Sequence, residues 1–104
     1  MRYKPRTVEA DEVKVGDVRR FNLNEGGEMS TFIAVIVGMD CENVRVRRCY
    51  KEDPKSGRYQ IKDVGAAGLE YAMFVDDKVW RMSRKTIGRK YGMLSKKDLR
   101  NVKE

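Results

Sequence analysis

The chain has 104 residues, with no histidine, two cysteines, two prolines and a single tryptophan. Without histidine, imidazole-based proton transfer and nucleophile activation are closed to it. A zinc site has no ligand set to draw on, since there is neither a histidine nor a Cys-x-x-Cys pair. Two cysteines, Cys41 and Cys49, are too few for a disulfide framework, so both are expected as reduced thiols of a cytoplasmic protein. No apolar run approaches the roughly 20 residues of a membrane span. No apolar signal segment follows the polar start at Met1, so no membrane partner is expected. Gly88 and Gly92 lack the following Lys-Ser/Thr of a phosphate loop. No cofactor and no metal is expected.

Charge is plentiful and unevenly placed. The chain carries 23 Lys and Arg against 16 Asp and Glu, a net +7. Residues 1–77 are close to neutral, with 13 basic and 14 acidic side chains, whereas residues 78–104 hold 10 basic against 2 acidic. Such a gradient points to RNA or another polyanion as partner, or to a solvated basic tail. Apolar residues at 40% are too frequent for a disordered chain, and the length suits one domain.

Residues 1–10 lack periodicity and read as a flexible arm ahead of one domain over residues 11–104. Val18 to Leu23 reads as a strand, and Asn24 to Glu28, with its Gly26-Gly27 pair, as a flexible loop. Thr31 to Val37 is apolar almost throughout, which predicts a central strand buried on both faces. Val44 to Arg47 alternates strictly, as a half-buried strand does, and Arg48 breaks the alternation in the manner of a bulge. The Asp53-Pro54 and Ser56-Gly57 pairs mark a hairpin connection leading to a strand from Tyr59 to Lys62. Gly65 to Gly68 reads as a connector. Strands follow at Tyr71 to Val75 and Val79 to Met82, and after them Gly88 and Gly92 read as a turn and a close backbone approach. Ser95 caps a short helix from Lys96 to about Val102. The sum is a mainly β fold, a small barrel of five to six antiparallel strands with a short C-terminal helix.

Two basic segments are placed to line one groove. The first is Arg45, Arg47 and Arg48; the second includes Lys85, Arg89 and Lys90. Either set equally serves to keep a sheet edge soluble. Trp80 is a base-stacking platform or a core residue, and Tyr50 and Tyr59 are partial candidates for stacking.

The order of pieces resembles the PemK/MazF family of toxin ribonucleases, which are SH3-like barrels. Gly16-Asp17-Val18, Ile33-Ala34-Val35-Ile36-Val37, Asp77-Lys78-Val79 and the stretch from Ile87 through Ser95 carry the resemblance, which spans most of residues 13–101. It implies a homodimer, an antitoxin partner and metal-independent cleavage of single-stranded RNA through its 2′-hydroxyl. On that reading Asp77 serves as base and Arg81 or Arg84 holds the phosphate. The chain departs from the family in several places. Phe32 and Ile33 stand where many members have a catalytic Arg-Pro pair. Arg47-Arg48-Cys49-Tyr50 lacks the usual Ser or Thr. Trp80 stands where an arginine often follows the acid, and the terminal helix is short. The readings that remain open are an endoribonuclease, a non-catalytic nucleic-acid-binding module, and a phage or mobile-element protein that regulates a host protein or nucleoprotein.

Overall fold

The computed structural model describes residues 12–52 and 58–102; the expected arm over 1–10 and the turn at Asp53-Pro54 and Ser56-Gly57 lie outside the described residues. The chain forms a mainly β fold. Its strands are β1 (Asp17–Glu25), β2 (Glu28–Met39), β3 (Asn43–Tyr50), β4 (Tyr59–Gln60), β5 (Phe74–Val75), β6 (Trp80–Ser83) and β7 (Ile87–Met93). Helix α1 (Val64–Ala67) follows β4, a 3₁₀ turn (Arg84–Thr86) follows β6, and α2 (Lys96–Val102) closes the described chain. All strand pairs are antiparallel, in the order β4-β5-β3-β2-β1-β7, and the sheet curls into a half-barrel. Strand β3 shares one edge between two partners, β6 along Asn43 to Val46 and β5 at Cys49 and Tyr50.

The apolar run of β2 is the axis of the fold, buried on both faces as its composition requires. Val35 and Val37 join a core with Val18, Ile61, Val75 and Val102. Ala34 and Ile36 face the other way, into a second core with Phe21, Val44, Val46 and Met82. Each such side chain contributes about 1.5–3 kcal/mol by leaving water.

The seventh strand is β7, where the two glycines suggest a turn and a close backbone approach; the turn is absent and the close approach is present. Both lie inside the strand because neighbouring backbone leaves no room for a side chain. A Cβ on Gly92 would stand 2.4 Å from the Ala66 carbonyl oxygen, and one on Gly88 2.9 Å from that of Arg20. The expected connector at Gly65 to Gly68 is instead α1. The Asp63 carboxylate accepts the Ala66 N–H at 3.0 Å, and Gly68 ends the helix at φ 73°. The Gly26-Gly27 loop is a tight two-residue hairpin turn, with φ of 59° and 86°, since that turn demands positive φ at both positions.

Helix α2 is pinned by the buried Asp98. Ser95 Oγ accepts the Asp98 N–H at 3.1 Å, so Ser95 caps the helix as expected. The Asp98 carboxylate accepts the Tyr59 hydroxyl and the N–H groups of Lys62 (3.1 Å) and Asp63 (2.9 Å). It also supplies the negative charge that the first turn wants beside Lys96 and Lys97.

Candidate nucleic-acid interface

Strands β2 and β3 are zipped together only in part. Their pairing runs from Met39↔Val44 to Ala34↔Arg48 and stops there. Beyond that point Thr31, Phe32 and Ile33 stay with β1, while Cys49 and Tyr50 go with β5. The strands part, and a cleft of about 420 Å³ opens between them. Phe32 and Ile33 form one wall, Arg48 and Tyr50 the other, and Tyr71, Met73 and Tyr91 face them. A smaller depression of about 270 Å³ continues from Ile33, Tyr71 and Tyr91 toward Arg89.

The cleft is cationic and aromatic together. Arg20, Arg48 and Lys51 line it and Arg89 lines its continuation, against one acid, Glu70. Three of these cations rest on rings. Arg48 lies 4.3 Å from the Phe32 centroid and 5.5 Å from that of Tyr50, Lys51 5.3 Å from Tyr71, and Arg89 5.5 Å from Tyr91. Rings hold the cations in place without neutralising them, so their charge stays available to an anion. Arg48 stands out. Its Nε is buried with no hydrogen-bond partner, and no carboxylate pairs with it among the described residues. It makes no bulge: it pairs in register with Ala34, and the irregularity in this ladder lies between Ile36 and Gly38.

The other basic residues singled out by the sequence go elsewhere. Arg47 is a clamp, 14% exposed, that donates from Nε to the Asp76 carbonyl (2.6 Å) and from Nη1 to the Val102 carbonyl, with Asp77 3.6 Å from Nη2. Arg45 and Arg81 pair across β3 and β6, with Asp40 3.9 Å from Arg45. Arg84 donates twice to the Asp40 carbonyl, at 3.0 and 2.7 Å. Lys85 borders a second depression beside Arg84 and Cys41. Lys90 reaches the buried Asp17 at 3.4 Å. Trp80 packs half-buried on the second core, with the Lys78 ammonium 4.0 Å above its ring. Tyr59 is held by Asp98; burial and that carboxylate push its hydroxyl up to about 12.

The proposed catalytic trio is spread along β6 rather than gathered. Asp77 precedes that strand, 81% exposed beside Arg47, and Arg84 follows it at the Asp40 turn. The four steps from Arg47 to Asn43 along β3 span about 13 Å. Cys49, which lines the cleft, is no nucleophile at neutral pH: burial pushes its thiol up to about 12, with the Arg47 charge acting weakly the other way.

Of the cleft's cations and rings, the sequence reading reached Arg48, Arg89 and Tyr50. Arg20, Phe32, Lys51, Tyr71 and Tyr91 become visible only once the strands part. The alternation of basic and aromatic residues over Arg48-Cys49-Tyr50-Lys51 was the available signal.

No family model matches the chain, and no curated protein matches it.

Proposed function

We propose that this domain binds single-stranded nucleic acid, RNA foremost, in the cleft between β2 and β3, on a small barrel that resembles the PemK/MazF toxins in the order of its elements. The observation that carries this reading is a cleft with four cations, four aromatic rings and a single acid. Bases stack on rings whatever their sequence, and a strand's phosphates need cations whose charge is not already spent. A duplex would offer its phosphates but not its base faces, which favours single strands. The chemistry supported is binding without cutting. In support of that, Asp77 is open to solvent with Arg47 as its ion-pair partner, and the donors of Arg84 are taken up by the Asp40 carbonyl.

A mobility-shift titration with single-stranded RNA tests this, with duplex RNA and an acidic polypeptide as comparisons. Single strands should bind best, and binding should weaken steeply with salt. Preference for the acidic polypeptide at matched charge would favour the protein-regulator reading instead. Incubation of the same RNA with wild type and Asp77→Ala should leave it intact in both cases; RNA cut by the wild type alone would restore the endoribonuclease reading.

A further inference from the structure

The cleft ends at a fork. At its apex β2 and β3 zip together at Ala34↔Arg48, and their pairing runs on from there to Met39↔Val44, with one irregularity between Ile36 and Gly38. Arg48 therefore sits where a polynucleotide lying in the cleft would stop. Its guanidinium is held by Phe32 and Tyr50, with Nε buried and unpartnered. A second guanidinium supports it. Arg58, with only 9% of its side chain exposed, lies 4.5 Å from the same Tyr50 ring and has a buried Nη1 with no partner; among the described residues its carboxylate contact is Asp76 at 3.4 Å. Among the described residues two arginines around one ring face a single acid, so positive charge is in excess at the apex. A buried cation gains far more from a full negative charge than from a neutral acceptor, and a guanidinium fork fits a phosphate in two parallel hydrogen bonds.

We propose that the apex is a subsite for the terminal phosphate of a single-stranded nucleic acid, bound by Arg48. A fork takes a chain end, and an end carrying a phosphate monoester brings about two charges, where an internal phosphodiester brings one. This inference rests on the nucleic-acid reading above, and the experiment separates the two.

Fluorescence anisotropy would compare one short single-stranded RNA in three forms: with a 5′-phosphate, with a 3′-phosphate, and with hydroxyls at both ends. Each would be titrated with wild type, Arg48→Gln and Arg48→Lys. Wild type should bind one phosphorylated form about tenfold more tightly than the hydroxyl form, and which form it is assigns the end. Arg48→Gln should abolish that preference, weakening every form, and the favoured phosphorylated one by far the most, while Arg48→Lys should keep part of the preference. Equal binding of all three forms by wild type overturns the subsite and leaves the nucleic-acid reading standing, as does a preference that survives Arg48→Gln. Absence of binding to every strand at low salt removes both.

Discussion

Arg47 and Arg48 are neighbours in the chain and opposites in circumstance. The alternation of β3 sends them to different faces. On the Arg47 face the fold supplies acceptors, two backbone carbonyls and a carboxylate, and the side chain ties β3 to the end of α2. On the Arg48 face it supplies aromatic rings and, among the described residues, no acceptor for the buried Nε. The difference shows how to sort cations in a basic protein. A structural arginine is one whose donors the fold itself consumes. A ligand-binding arginine is one that the fold positions and leaves unanswered.

The comparison is sharpest at its structural extreme, Arg19. It is buried, with Nε 2.9 Å from the Asp17 carboxylate and Nη1 donating to the Gly88 carbonyl at 3.1 Å. Arg19→Met should cost about 3–5 kcal/mol, because Asp17 would stay buried with Lys90 as its remaining ion-pair partner. Urea denaturation measures this. A cost below about 1 kcal/mol would mean that the Asp17 charge is solvated in some other way, and the sorting rule would fail where it ought to be strongest.

Asp98 is the acidic counterpart of Arg47, since both fasten α2 to the sheet. Burial disfavours its charge, but the hydrogen bonds from Tyr59, Asp63 and Lys62 outweigh that and hold its carboxyl below the usual range. A carboxyl lowered in the folded state adds stability above its unfolded pKa of about 3.9, and that stability disappears as pH falls through the folded value. Asp98→Asn should therefore cost about 2–3 kcal/mol at neutral pH, and its stability should fall less steeply than that of the wild type as pH drops below about 4. Parallel pH curves for the two proteins would show that the carboxylate charge is not what holds α2.

The neighbours themselves give the most direct test. Arg47→Gln should lower stability by about 2 kcal/mol, because the carbonyls of Asp76 and Val102 lose a charged donor. Arg48→Gln should cost less, about 0.5–1 kcal/mol, since it gives up ring contacts but no hydrogen bond. Thermal melts of the two variants side by side decide it, and equal losses would make Arg48 structural.

This contrast also explains what could be read without a structure. The apolar run from Thr31 to Val37 is long and unbroken, and so announces a central strand. Ser95 announces α2 as its cap, while the buried Asp98 that offsets Lys96 and Lys97 in the first turn shows its role only in the packed structure. Gly88 and Gly92 were legible as places of close backbone approach, which they are, Gly92 against α1 and Gly88 against β1, but the turn that glycine suggests equally well is a strand instead. The cleft was legible in part for a related reason. Residue types showed that Arg48 and Arg89 are basic, but the register decides which arginines meet carbonyls. It places Arg45 and Arg81 together and leaves Arg48 at the last rung of the β2–β3 ladder. Phe32 carries on its ring a cation from the next strand, which only the register brings to it.

The smallest expected effect separates the cleft from the basic cluster at the Asp40 turn. For a single strand, each phosphate neutralised adds about 0.7 to the slope of log affinity against log salt. Arg89→Gln removes a cation that lies 5.5 Å over Tyr91 and lines the cleft's continuation, so it should flatten the slope by about that amount while leaving stability unchanged. Arg84→Gln removes an equal charge, but one whose donors already hold the Asp40 carbonyl. It should leave the slope as it was and lower stability instead, by about 1 kcal/mol. Net charge is the same in both variants. If charge alone drew the nucleic acid, the two slopes would fall together. A change confined to Arg89→Gln would mean that position in the cleft matters, and that the strongly basic stretch after Lys78 binds through the few cations that the fold has left unengaged.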